Sequence, residues 1–331
     1  MPANVESMYS VREMPWHGEG YVPQEYPGSW AEARKWAGLE WDPVSFPVYD
    51  RTEHPDGIPE YAPQYSKVDG YNIIKRSDTG AVLSVRPSSY AVIDHRDMGE
   101  IIEAVLEQPN VKWETAGCLD GGKAVWCLAL LDEPVQLPGD PSATYPYMAI
   151  TNRHDGTAAC ALRSTMVRIV CGNTFRASEM EGERTGATFS FTHRAGWRDR
   201  IAEAREAVTG ARAEMRAYVE LAEELLRISV TAEQREHFVL NFIPMPPETL
   251  ITDRVARNVE AARAAVRGIL ASPTTEGVRG TAYELVQTGV EYADHLRGYR
   301  SRGTYLSRTM LRPEPLKART LTLVRELVAS S

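Results

Sequence analysis

Trp113-Glu114-Thr115-Ala116-Gly117-Cys118-Leu119-Asp120-Gly121-Gly122-Lys123-Ala124-Val125-Trp126-Cys127-Leu128-Ala129-Leu130-Leu131 holds two apolar-rich runs around a reversal, and it decides the fold class. Residues 113–119 and 124–131 read as strands, and Asp120-Gly121-Gly122 tolerate the positive φ that a tight turn demands. Together they predict a hairpin. The pattern recurs where residues 147–152 and 158–171 flank Asp155-Gly156. Upstream, residues 81–85 and 90–93 read as short strands, and 97–107 as a helix with Ile101, Ile102, Val105 and Leu106 on one side. Strands, a helix, then antiparallel hairpins give an α+β class: an antiparallel sheet with a helix on one face.

From Trp197 onward the pattern turns helical. Ile201, Ala204, Val208, Ala211, Met215, Tyr218, Ala222 and Leu225 recur at alternating spacings of three and four, a heptad stripe that packs on the chain's own sheet or on another subunit. Thr231-Ala232-Glu233-Gln234 is a capping box opening a short helix that ends before Pro244. Further helices are expected over 247–270, 280–297 and 314–328. At the other end, residues 1–70 carry eight prolines from Pro15 to Pro63 that break long regular elements. One helix fits there, over 29–38, with Ser29 as N-cap, Glu32 at capping-box spacing and Gly38 as the stop. The rest reads as an arm anchored by Trp16, Trp30, Trp36 and Trp41. The expected organisation is an arm over 1–70, a sheet domain over 71–196 and a helical region over 197–331.

Composition narrows the function classes. A chain of 331 residues with 43% hydrophobic residues fills a sizeable core, and a net charge of -8 argues against a wholly basic surface. Residues 151–200 nevertheless hold eight arginines against five acids, so the middle of the chain is locally positive. Cys118, Cys127, Cys160 and Cys171 form no Cys-x-x-Cys pair, which fits a reducing cytoplasm better than a disulfide or zinc scaffold. No apolar run approaches the ~18 residues of a membrane span, so no membrane partner is expected and a cytoplasmic location is.

The candidate sites lie mainly between Tyr147 and Trp197. His154-Asp155, with His193 or Glu114, make a weak candidate set for a divalent metal, against a plain turn with His154 exposed. Asp294-His295 reads as a solvated or capping pair. Arg163 and Arg168 are five residues apart in one strand, hence on opposite faces, and Arg168 in its Val/Ile surroundings needs a carboxylate such as Glu114 or Asp155, or a phosphate. Asn173 and Thr174 suit an N-cap at a strand-to-helix exit, leaving backbone N–H groups for an anion. No phosphate-binding P-loop, dinucleotide fingerprint, nucleophile elbow or His-Glu-x-x-His motif occurs. No cofactor and no catalytic residue is assigned.

The run Met8-Tyr9-Ser10-Val11-Arg12-Glu13-Met14-Pro15-Trp16-His17-Gly18, then Ala37-Gly38-Leu39-x-Trp41, Arg76-Ser77-Asp78, Glu114-Thr115-Ala116-Gly117, Asn152-x-His154-Asp155-Gly156, Val167-Arg168-Ile169-Val170-Cys171-x-Asn173-Thr174 and Glu291-Tyr292-x-Asp294-His295 resembles, in order, the phage/plasmid-like protein family. That family is a domain of unknown function found in actinobacterial phages, plasmids and laterally transferred regions. The sequence departs from it at Phe175 and at Phe191-Thr192-His193, the second of which weakens a catalytic role for His193. The resemblance implies a mobile-element setting and no fixed chemistry. The element order is also loosely similar to phage single-strand annealing proteins, which form rings or filaments.

Three functions follow as expectations. The first is a non-catalytic, homo-oligomeric protein that binds and anneals single-stranded DNA in recombination, with Arg153, Arg163, Arg168, Arg176 and Arg194 along the backbone, Asn173 and Thr174 nearby, and Tyr147 or Trp197 stacking on bases. The second is a metal-dependent enzyme acting on nucleotides or nucleic acid. The third is an oligomeric structural or interaction protein of a mobile element.

Overall fold

The hairpin of residues 113–131 is the centre of the main sheet. In the computed structural model, which describes residues 5–11, 20–52, 64–108, 110–168, 173–175, 188–297 and 315–329, β5 (Trp113–Leu119) pairs with β6 (Ala124–Leu130) around Asp120, Gly121 and Gly122, all at positive φ. Beside them lie β1 (Val5–Ser10), β8 (Ala143–Arg153), β9 (Cys160–Arg168) and β10 (Asn173–Phe175), in the order β1-β5-β6-β8-β9-β10. The short β7 (Val135–Gln136) pairs with β8, and β11 (Thr188–Phe191) pairs with the start of β9. Every pairing is antiparallel. A second sheet is a meander of β2 (Pro43–Thr52), β3 (Gln64–Arg76) and β4 (Val82–Pro87).

Alternation explains the packing of the main sheet. Cys127, Ala129, Met148 and Ile150 face one core, while Trp126, Leu128, Tyr147 and Ala149 are buried on the other side. Burial on both faces is why β6 reads as an unbroken apolar run. The first core is closed by α1 (Trp30–Trp36), α2 (His95–Leu106) and the first half of α3 (Ile201–Arg227). Trp30 lies against Gly99, where an added Cβ would come within 2.0 Å of Trp30 Cδ1, and Trp30 Nε1 donates to the His95 carbonyl at 2.6 Å. The second half of α3 packs with α4 (Ala232–Phe242), α5 (Asp253–Leu270), α6 (Ala282–Glu291) and α7 (Pro315–Ala329) around a separate core.

The α+β class is therefore present, and the heptad stripe of α3 is spent inside the chain: Ala204, Val208 and Ala211 on the first core, Tyr218, Ala222 and Leu225 on the second. The N-terminal expectation needs correcting. Residues 1–70 contain the expected helix, α1 with Ser29 as its N-cap, but the rest is β1, β2 and the first half of β3 in place of an arm. Pro43 heads β2, and Pro47 stands at a register shift, so neither breaks an interior ladder. Trp30 and Trp41 are buried in the first core. Residues 90–93 form no strand; they lead into α2, whose N-cap is Asp94. Its carboxylate accepts from Arg96 N and Asp97 N, while Asp97 Oδ2 accepts from Asp94 N. That box begins the helix earlier than expected. Thr252 similarly restarts the chain as α5 after a single turn over Glu248–Leu250.

Candidate functional site

The arginine strip is dispersed rather than continuous. Arg153 forms a bidentate pair with Asp155, at 3.1 and 2.6 Å, and reaches Asp120 at 3.7 Å. Arg163 is half-buried, with Thr151 Oγ1 3.5 Å from its guanidinium. Arg168 closes β9 opposite Thr144 and Asn173. Asn173 and Thr174 belong to β10, so they pair in a sheet instead of capping a helix. Arg194 is exposed, and Arg176 lies outside the described residues, as does Cys171. Tyr147 is 2% exposed and Trp197 5%, which leaves neither ring an open face for a base. The side chain of Arg168 lies outside the described residues; of the carboxylates suggested for it, Glu114 accepts from Tyr26 Oη at 3.0 Å, and Asp155 holds Arg153 and Thr157.

His154 is completely buried, contrary to the exposed turn residue that the Asp-Gly step suggested. It meets His95, at the start of α2, a residue that no motif marks. Their Nε2 atoms are 3.1 Å apart, and His95 Nδ1 lies 3.3 Å from the Leu39 carbonyl. Only a donating Nδ1–H suits a carbonyl, so His95 Nε2 is the acceptor and His154 Nε2–H donates to it. That leaves His154 Nδ1 a bare lone pair with no partner among the described residues. Burial drives both rings toward neutrality: His95 is lowered to about 4, and His154 falls well below the ordinary histidine value, helped by His95 and His193 nearby. Trp41 meets His95 edge-on, with centroids 4.3 Å apart.

This neutral pair ties α2 to the β8–β9 turn. Asn152 Nδ2 donates to the Ile93 carbonyl at 2.8 Å, and Ser84 Oγ of β4 donates to the His154 carbonyl at 2.7 Å. His193 donates through Nδ1 to the Ala91 carbonyl at 3.1 Å and stacks on Tyr90 with centroids 4.5 Å apart. Burial opposes the charge of Asp155, but bonds from Arg153 and Thr157 outweigh it and hold the carboxyl down at about 2. The metal set drawn on His154 and Asp155 is not assembled: one ring nitrogen of His154 is turned to His95, and Asp155 to Arg153. Among the described residues no three His, Cys, Asp or Glu side chains are placed to hold a metal. Burial pushes the thiols of Cys118, Cys127 and Cys160 up, which makes them poor nucleophiles.

Asp294 and His295 are also placed differently from a solvated pair. A π-helical turn over Tyr292–Leu296 buries Asp294, and Lys317 of α7 reaches Asp294 Oδ1 at 2.7 Å with both side chains 2% exposed.

What the sequence reading missed is the outer part of β2 and β3. In the register Tyr49 stands opposite Lys67 and Arg51 opposite Tyr65. All four are exposed, Tyr49 at 55% and Tyr65 at 63%. Residues two apart on a strand share a face, so both rows present ring and cation on the same side of the ribbon, with the rings on the diagonal, roughly 7–8 Å apart. Inward of the ribbon, beyond the register shift between Pro47 and Val48, Pro47, Asn72 and Arg86 form one cross-strand row beside the turn at Gly156.

A family model described as a domain of unknown function, DUF932, matches residues 82–312, which is 231 of 331. The chain belongs to the DUF932 family. The matched region begins at β4, so it contains Arg86, His95, His154 and His193, while the tyrosine ribbon precedes it. No curated protein matches the chain, and no solved structure does. Membership therefore places the histidine pair and its turn within the DUF932 region without attaching an activity to them. No described helix is long and apolar enough to cross a membrane.

Proposed function

We propose that this protein binds single-stranded nucleic acid along the β2–β3 ribbon and acts by holding strands rather than by covalent chemistry. The observation that carries the reading is the face shared by Tyr49, Arg51, Tyr65 and Lys67. An exposed ring stacks on any base, worth ~1–3 kcal/mol per base, and a neighbouring cation meets the phosphates between. In a duplex those base faces are already stacked, so the ribbon favours single strands. Stacking leaves the Watson–Crick edges free, which is what annealing requires. The mobile-element setting implied by the family resemblance makes recombination or replication of DNA the context we favour, with copies of the chain lining up their ribbons along one strand.

The test is fluorescence anisotropy of a labelled thymidine oligonucleotide with the full chain and with a Tyr49→Ala/Tyr65→Ala variant. These side chains are exposed, so the fold survives their loss. Affinity falls at least 30-fold in the double variant if two bases stack, by the lower ~1 kcal/mol bound for each. Equal affinity in the two proteins removes the ribbon from the reading.

One observation favours the interaction reading as a second possibility. The opposite face of the same small sheet exposes Phe46, Tyr71, Val82 and Val85, with Phe46, Ile73 and Val85 in one cross-strand row. Light scattering of wild type against Val85→Lys tests it: an assembly held by this face dissociates, and an unchanged mass excludes the face from self-association.

A further inference from the structure

We infer that Arg86 holds one phosphate group at the foot of the ribbon, a step that takes its ligand class from the single-strand reading. Arg86 shares a row with Asn72 and Pro47, inward of the Tyr49–Lys67 row and across the register shift between Pro47 and Val48. Its side chain is half-buried, and its Nε is shut off from solvent with no acceptor. The other shielded arginines nearby are satisfied: Arg76 by Glu6 and Asp78 at 2.5 and 2.8 Å, Arg153 by Asp155. Among the described residues no carboxylate pairs with Arg86.

The surroundings are shaped to the guanidinium and do not neutralise it. Gly156, at φ 64, brings the β8–β9 turn so close that an added Cβ would stand 2.6 Å from Arg86 Cζ. Asp155, the nearest acid in that turn, is committed to Arg153 and Thr157. Tyr90 and His193 lie near enough for the charge of Arg86 to bear on both, and neither brings a negative charge. A shielded guanidinium without a counter-charge is costly, and its planar fork suits the paired oxygens of a phosphate. The histidine pair acts here as a positioning device, since it fixes the turn that presses on Arg86.

Phosphate can come from a nucleic-acid backbone or from a free phosphate, and one set of titrations separates them. The full chain, Arg86→Met, Arg86→Lys and Tyr49→Ala/Tyr65→Ala are each titrated calorimetrically with inorganic phosphate, thymidine 5′-monophosphate and a thymidine oligonucleotide. Wild type should bind phosphate and the mononucleotide, Arg86→Met at least tenfold more weakly, and Arg86→Lys in between. The tyrosine variant should keep phosphate binding and lose oligonucleotide affinity. Without ligand, Arg86→Met should melt no lower than wild type, because the arginine has no internal partner to lose; a merely structural arginine would give a lower melting temperature. Phosphate binding lost in Arg86→Met, with no oligonucleotide bound by wild type, would uphold the anion site with free phosphate as its ligand and reject the nucleic-acid reading. Equal phosphate and oligonucleotide affinities in wild type and Arg86→Met, or no anion binding by wild type at all, overturn the inference.

Discussion

Acidification should unfold this protein through its buried histidines, and the size of the effect can be worked out from His95. Its ring is lowered from 6.5 to about 4 by burial, so as pH falls the unfolded chain takes up this proton first. Stability present above pH 6.5 is therefore lost between 6.5 and 4, and stability rises with pH across that window. At pH 5.5 the native ring is still neutral while the unfolded one is about nine-tenths protonated, a loss of ~1.4 kcal/mol relative to pH 7.5. His154 is shifted in the same direction by burial and by His95, and adds to the loss. Asp155, depressed to about 2, contributes stability present above its unfolded value of 3.8 and lost only below it, so it does not enter this window. The assay is urea unfolding at pH 7.5, 6.5 and 5.5, read as the free energy at constant m-value. A His95→Gln/His154→Gln variant, less stable at pH 7.5, should lose at least ~1.4 kcal/mol less than wild type on going to pH 5.5. His154→Gln alone serves if the double variant does not fold, and should also flatten the pH dependence. Wild type and variant with the same pH dependence would refute the neutral, buried pair.

Other outcomes follow from the packing and from the ribbon. Lys317→Met should cost ~3–5 kcal/mol, because it strands the Asp294 carboxylate in the helical core, whereas Lys317→Met/Asp294→Leu recovers most of that loss; urea denaturation measures both. Gly99→Ala should cost ~1–3 kcal/mol and lower the melting temperature, since its methyl group meets the buried Trp30 ring. Nucleic-acid affinity should depend only mildly on salt. Three cations, Arg51, Lys67 and Arg86, cap the slope of log K against log salt at about −2, or a ~20-fold loss between 50 and 200 mM. A slope near −4 in anisotropy titrations would point to a far more basic surface.

The sequence made the main sheet legible because hairpin turns and alternation are local signals. Asp120-Gly121-Gly122 and Asp155-Gly156 each fixed a reversal, and the stripe of α3 fixed which side of that helix is buried. The N-terminal strands were hidden by prolines that proved to sit at a strand start and a bulge, where the missing N–H does no harm. The start of α2 was hidden because its capping box closes with Asp97 instead of Glu or Gln.

The site was harder for a different reason. Asn152-x-His154-Asp155-Gly156 stood out, but its meaning depends on His95, 59 residues away, and on the Leu39 carbonyl, which no spacing rule connects. The arginines of residues 151–200 looked like a strip because sequence does not show which are neutralised at home, as Arg153 is by Asp155. Tyr49 and Tyr65 are brought onto one face only by the β2–β3 register. A signal was available in the alternation of Tyr49-x-Arg51 and Tyr65-x-Lys67, two ring and cation pairs at strand spacing on either side of a proline-bearing connection.

Photo-crosslinking of the full chain to a single-stranded oligonucleotide carrying 5-iododeoxyuridine, with the adducts mapped by peptide mass spectrometry, decides whether the β2–β3 ribbon is where a strand binds. Adducts should form on Tyr49 and Tyr65 and be competed by unlabelled single strand and not by duplex. Adducts confined to residues outside the β2–β3 ribbon, or none at an oligonucleotide concentration that saturates binding, would contradict binding there.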